Sequence, residues 1–179
     1  MNRAVIFDRD GTLVKDMHYL SDADKVQIYR GVIPALRQLR KHGWKLIVGT
    51  NQSGVARGYL TLKDLKEIHA RMLSLLRKGG VRIDGIYFCP HHPDDGCMCR
   101  KPQPGMLTLA AKKFRLDLKK SVVVGDKTSD VVWGRRAGSR TVLVLTGYGR
   151  EPRAKPKCKP DFVAKSLPYA VKWILKNEN

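Results

Sequence analysis

Long hydrophobic runs are missing from this chain of 179 residues. None approaches the roughly 18 consecutive apolar residues that a membrane-crossing helix needs, so no spanning segment is expected. Acidic residues are scarce: 16 Asp and Glu stand against 35 Lys and Arg, a formal net charge of +19. That balance suits an anionic partner, either a phosphorylated metabolite or nucleic acid, and suits equally well a solvated basic surface. No aromatic-interleaved basic stripe is present, which favours the solvated surface. Cysteines number only four, and three of them fall between positions 89 and 99. In a cytosolic chain such clustering suggests metal rather than disulfides. Cys158 stands apart as a lone thiol with no assigned role. Repeats, low-complexity tracts and dividing linkers are also lacking. Residues 1–179 therefore read as one domain, long enough to bury a core. A strand starts near residue 3, so no signal peptide is expected before it, and the cytoplasm is the expected location.

What is present is an alternation of short β-rich runs and helical patterns. Strands are expected at Ala4–Phe7, Lys45–Gly49, Gly85–Cys89, Ser121–Gly125 and Thr141–Leu145. Their nearly continuous Val, Ile and Leu suit buried parallel strands. Helices are expected over Pro34–Lys41, stopped by Gly43, and over Thr61–Lys78, where Thr61 and Asp64 form a capping-box pattern. Leu65, Ile68, Met72, Leu75 and Leu76 line one face of the second. Leu107, Ala110, Ala111 and Phe114 mark a third helix, and Thr128 is placed to cap a fourth reaching about Ala137. Leu167, Val171, Ile174 and Leu175 mark the last, after a basic surface loop over 150–160. The alternation predicts an α/β fold, a three-layer Rossmann-like sandwich around a parallel sheet.

Three polar clusters each follow an expected strand, and parallel strands place them at one sheet edge, where such folds bind ligands. The first is Asp8 and Asp10, two carboxylates at i, i+2 before a turn at Gly11. Like charges that close need a holder, and a hard cation with oxygen ligands is the usual one. The second is Thr50-Asn51-Gln52-Ser53-Gly54; the third is Gly125-Asp126-Lys127. Together they predict a magnesium and phosphate site. Asp126 would supply further anionic oxygen, and Thr50 with nearby N–H groups would hold phosphoryl oxygens. Separately, Cys89, Cys97, Cys99 and a histidine, His91 or His92, offer four ligands for a tetrahedral zinc. With no position left open, that zinc would be structural. The loop 89–99 runs straight into Arg100-Lys101-Pro102, so the metal clip would pre-organise two long basic side chains.

The strings DRDGT, TNQSG, a lysine after the cysteine cluster and GDKTSD resemble the four motifs of the haloacid dehalogenase-like phosphohydrolases. The resemblance implies Asp8 as nucleophile, Asp10 as acid/base, Thr50 steadying the phosphoryl group and Lys101 offsetting charge. It further implies magnesium on Asp8, Asp126 and the backbone carbonyl of Asp10. The run C-x-H-x5-C-x-C-R-K-P is shared by two branches, the D-glycero-D-manno-heptose 1,7-bisphosphate 7-phosphatases and the histidinol-phosphatases, and in both it favours His91 as the zinc-binding imidazole. TNQSGVARG and CRKPQPGM resemble the heptose branch. That branch implies substrate contacts from Asp16 to Tyr19, from Thr50 through Asn51 and Gln52 to Ser53, and from Arg100, Lys101 and Lys127. The expected partner is a small phosphorylated sugar; a histidinol phosphate or, from a related branch, a 3′-phosphorylated nucleic acid stands as the alternative. No insertion large enough for a cap follows Gly11 or Cys89, so the site is expected to be open and the protein a monomer. Arg57 and Arg100 are placed to read a second phosphate or the sugar. Arg9 alternates away from the aspartates and reads as structural. His18, His42 and His69 read as surface or packing residues.

Overall fold

A computed structural model describes residues 1–150 and 159–177. Among the described residues, six strands form one sheet: β1 (Ala4–Phe7), β2 (Lys45–Asn51), β3 (Gly85–Cys89), β4 (Val122–Gly125), β5 (Arg140–Val144) and β6 (Phe162–Ala164). Their order is β3-β2-β1-β4-β5-β6, and every neighbouring pair is parallel. The described residues also form five helices, four of them between strands and the last after β6: α1 (Val32–Lys41), α2 (Leu62–Lys78), α3 (Gly105–Phe114), α4 (Thr128–Arg136) and α5 (Leu167–Lys176). Successive side chains of a strand face opposite sides, and the core divides accordingly. Val5, Phe7, Leu46 and Val48 pack with Leu36 of α1, Met72 of α2 and Val171 of α5. Ala4, Ile6, Ile47 and Val123 pack on the other face with Leu107 and Ala110 of α3 and Trp133 of α4. The result is the expected three-layer sandwich.

The helix signals act as expected where they are local. Thr61 caps α2, accepting from the Asp64 N–H at 3.1 Å while the Asp64 carboxylate accepts from the Thr61 N–H at 2.7 Å. At α4 the cap differs. The helix begins at Thr128, so Lys127 is the cap residue, and its N–H donates to the carboxylate of Asp130 at 3.0 Å. β6 is an addition to the expected strands, too short to carry a pattern. The loop expected over 150–160 and Cys158 lie largely outside the described residues.

The sheet order reverses direction at β1: β2 leaves toward one edge and β4 toward the other. Such a switch point opens a crevice beyond the strands' carboxyl ends. Register puts Phe7 beside both Val48 and Val124, so Asp8, Gly49 and Gly125 come next at the same level. Among the described residues, the stretch between β1 and α1 holds one short 3-10 turn, Ala23–Lys25, and that between β3 and α3 another, Pro93–Asp95. Neither builds a cap over the crevice.

Candidate active site

Asp8 stands just past β1, its N–H donating to Val124 O at 2.9 Å, with the residue only 5% exposed. Lys101 reaches it from the loop after the cysteine cluster. The Lys101 ammonium donates to Asp8 Oδ1 at 2.5 Å, Asp130 Oδ1 at 2.6 Å and Gly49 O at 2.9 Å. The indole of Trp133 lies below it at 5.1 Å. Burial opposes the Lys101 charge, but Asp130 and Asp8 outweigh it and hold its pKa above the ordinary lysine value. Burial pushes Asp8 up to about 6, against the pull of Lys101 and with the push of Asp130. Burial, then Asp8 and Asp130, push Asp126 up to about 8.

Three carboxylates, Asp8, Asp126 and Asp130, each place an oxygen within 4.8 Å of the others. Asp126 Oδ2 accepts from the Tyr148 N–H at 2.8 Å, whereas the buried Oδ1 has no partner among the described residues. Gly11 and Gly147, both with positive φ, pack so tightly on this carboxylate that a Cβ at either position would collide with it. An unpartnered buried carboxylate oxygen among like charges fits a hard divalent cation. Asp130 is a residue that the sequence reading missed, although it closes the GDKTSD string. Its carboxylate aligns Lys101 and caps α4 at once.

Asp10 lies apart from that cluster. Its carboxylate pairs with Arg9, whose Nη2 is 2.8 Å from Asp10 Oδ2, and accepts from Gln52 Nε2 at 2.8 Å. Arg9 therefore does not point away from the aspartates. Strand alternation ends there because the chain turns: Arg9 O accepts from the N–H groups of Leu13 and Val14, both at 2.9 Å.

The remaining residues surround an open cavity of about 270 Å³. Asp10, Asp16, His18, Tyr19, Asn51, Gln52, Ser53, Arg100, Lys127 and Tyr148 line it. Thr50 is buried beneath, its Oγ1 accepting from Gln52 Nε2 at 2.9 Å. Lys127 points its ammonium between Asp16, 3.6 Å from Oδ2, and the Tyr148 ring, 4.4 Å from its centre. Asp8, Asp126 and Asp16 overcome the cost of its burial and raise its pKa. The Tyr148 hydroxyl meets His18 Nδ1 at 3.2 Å, which ties the 16–19 turn to the strap after β5. Tyr148 had no sequence signal. Arg100 keeps a buried Nη1 without a partner among the described residues. Arg57 is exposed and does not line the cavity.

Zinc–sulfur bonds of about 2.3 Å at tetrahedral angles imply S···S edges of about 3.7 Å. The observed separations are 3.5 Å for Cys89–Cys97, 3.5 Å for Cys97–Cys99, 3.6 Å for Cys89 Sγ–His91 Nδ1 and 3.2 Å for His91 Nδ1–Cys99 Sγ. The four atoms fit a zinc ion. His92 is engaged elsewhere, its Nδ1 accepting from the Asp94 N–H at 3.4 Å at the start of the 93–95 turn.

A parallel sheet whose switch point carries buried aspartates and a lysine between them defines a phosphoryl-transfer class of α/β enzyme. Residues 98–170 match a HAD-hydrolase-like family model. A D-glycero-beta-D-manno-heptose-1,7-bisphosphate 7-phosphatase of Helicobacter pylori (strain J99) is 37% identical over 175 residues, 97% of each chain. One from Pasteurella multocida is 44% identical over 154 residues, 82% of this chain and 84% of its own. The solved D,D-heptose 1.7-bisphosphate phosphatase of B. bronchiseptica, complexed with magnesium and phosphate, superposes with a TM-score of 0.91 at 35% identity, over 97% of this chain and 98% of its own. The chain belongs to the D-glycero-D-manno-heptose-1,7-bisphosphate 7-phosphatase family of HAD-like hydrolases, and is thus a phosphoric monoester hydrolase.

Proposed function

We propose that this protein removes the C7 phosphate of D-glycero-D-manno-heptose 1,7-bisphosphate through an aspartyl-phosphate on Asp8. The observation that carries the reading is the Asp8–Lys101–Asp130 contact beside Asp126 at the switch point. An Asp8 oxygen attacks phosphorus and the bond to the C7 oxygen breaks. Asp10 gives its proton to that leaving oxygen. It then takes a proton from the water that attacks the aspartyl-phosphate, which frees phosphate and regenerates Asp8. Lys101 stays beside Asp8 throughout and offsets the charge that would repel an anionic substrate. Magnesium, held by Asp8, Asp126 and the backbone carbonyl of Asp10, would supply charge neutralisation and orientation of the phosphoryl oxygens.

Substrate recognition is assigned to the cavity wall. Asn51, Gln52 and Ser53 offer amide and hydroxyl groups, with Thr50 supporting Gln52 from beneath. Asp16 and Tyr19 face the sugar, and Lys127 and Arg100 supply the cationic groups that the second phosphate needs. Zinc on Cys89, His91, Cys97 and Cys99 would be structural. A doubly phosphorylated sugar does not cross membranes unaided, which agrees with a cytoplasmic enzyme; we take the enzyme to be a monomer of one domain. No described helix is long and apolar enough to cross a membrane.

The deciding experiment is phosphate release, with magnesium, from both anomers of heptose 1,7-bisphosphate, from histidinol phosphate and from a 3′-phosphorylated oligonucleotide, using native protein and Asp8→Asn. Turnover of a heptose anomer that vanishes in the variant supports the reading. A preference for either other substrate overturns the substrate and keeps the Asp8 chemistry.

A further inference from the structure

Arg9 takes no part in the steps above, yet it is the largest charged side chain sealed inside the site, 1% exposed and absent from the cavity lining. Burying a guanidinium is costly unless it is paired and hydrogen-bonded. Its partner is Asp10. Arg9 Nε donates to Asp10 Oδ1 at 3.0 Å and Oδ2 at 3.1 Å, and Nη2 donates to Oδ2 at 2.8 Å. Nη2 also donates to Gln52 Oε1 at 3.0 Å, and Gln52 Nε2 donates back to the same Asp10 Oδ2 at 2.8 Å. The two oxygens of Asp10 are therefore unlike. Oδ2 is saturated by three N–H donors from two side chains. Oδ1 receives one and keeps lone-pair capacity on a residue that lines the cavity.

We propose that Arg9 is the positioning residue of the acid–base step. It fixes the plane of the Asp10 carboxylate from beneath and leaves Oδ1 as the oxygen that carries the proton to the leaving alkoxide and takes it back from water. Gln52 locks the pair by bonding both partners. This rests on the phosphatase reading above, and the experiment separates the two.

The variants are Arg9→Lys, Arg9→Gln, Asp10→Asn and the double variant Arg9→Met with Asp10→Asn, which leaves no charge of the pair buried alone. The readouts are turnover of heptose 1,7-bisphosphate, the nitrophenol burst from p-nitrophenyl phosphate, and acid-quenched phosphoprotein, all with magnesium. A nitrophenolate leaves without needing a proton, whereas a sugar alkoxide does not. Arg9→Gln is expected to lower sugar-phosphate turnover about a hundredfold, within the range of general acid–base catalysis. Its burst stays within about threefold of native and phosphoprotein accumulates, because water attack is slowed. In the double variant, Arg9→Met adds less than about threefold to the Asp10→Asn loss, since the two act as one unit.

The proposal is overturned if Arg9→Lys and Arg9→Gln both keep sugar-phosphate turnover near native. It also falls if the burst and steady state decline together, or if Arg9→Met multiplies the Asp10→Asn loss. Should Arg9→Gln fail to fold, the double variant decides alone. Asp8-dependent release from the aryl phosphate with none from the heptose would remove the substrate reading, while phosphoprotein accumulation would still decide the role of Arg9.

Discussion

The side chain of Asn51 brackets the main chain of Lys101: Oδ1 accepts the Lys101 N–H at 3.0 Å and Nδ2 donates to the Lys101 carbonyl at 3.2 Å. Asn51 is the last residue of β2, so a rigid strand end holds the main chain of the loop that follows the cysteine cluster. The two contacts need one donor and one acceptor on the same planar group, which is what an amide offers.

Asn51→Asp and Asn51→Leu should therefore both lower kcat about a hundredfold, the scale of a misplacement of about 1 Å at a reacting centre. Asp keeps the acceptor, loses the donor and adds a fourth carboxylate near Asp8, so it is expected to rescue nothing. Steady-state kinetics with the sugar phosphate is the check. A kcat within about threefold of native in Asn51→Leu would show that Lys101 does not depend on this bracket.

Zinc is expected to act on the same lysine from the other side. Removing it by chelation, or through Cys97→Ser with Cys99→Ser, should leave the sheet intact, because the two core clusters are built from the strands and helices, and of residues 89–99 only Cys89, at the end of β3, and Cys99, at the margin of one cluster, pack with them. Far-ultraviolet circular dichroism should change little. Turnover should fall roughly tenfold to a hundredfold as Arg100 and Lys101 lose their anchor. Full activity in zinc-free protein, verified by metal analysis, would contradict the link between clip and site.

How far the site could be read from sequence depended on the range of each interaction. Asp8, Asp10 and Asp126 follow strands whose apolar runs mark their own ends, and Thr61 with Asp64 announces a helix within four residues. Asp130 reads locally as a first-turn acid of α4; its contact with Lys101 spans 29 residues and exists only after the cysteine loop folds back. Tyr148 reaches Asp126 through its backbone N–H, a group no sequence pattern distinguishes. Arg9 escapes the period-two rule because the strand has already ended where it stands.

Magnesium affinity should be strongly pH-dependent. Burial holds Asp126 near a pKa of about 8 and Asp8 near about 6 in the absence of a cation. Both lie above ordinary aspartate values, so the metal-free folded protein binds protons that the unfolded chain does not, and these groups subtract stability as pH rises from about 4 to 8. A cation at the site must displace those protons. Its dissociation constant should weaken about tenfold per pH unit below 8 for the Asp126 proton, with a further factor of about ten per unit below 6 for that of Asp8. Calorimetry in buffers of different ionisation enthalpy counts the released protons, and the magnesium-induced rise in Tm should be larger at pH 8 than at pH 6. Equal shifts at both would mean that Asp126 is already ionised without metal.

His69 predicts the opposite behaviour at acid pH. It lies in α2, buried against the Phe88 ring at 5.7 Å between centroids, with no hydrogen-bond partner for Nε2 among the described residues. Burial, helped by the Arg9 charge, depresses its pKa to about 4, so it stays neutral in the folded state. In the unfolded chain it takes a proton below about pH 6.5. Its contribution to stability is complete above that value and is lost as pH falls toward 4, by about 2 kcal/mol at pH 5. His69→Leu removes the titration, so its Tm should decline less than that of the native protein between pH 7 and pH 5, whatever the offset between the two at pH 7. Parallel declines would show that His69 takes up its proton as readily in the folded protein as in the unfolded chain.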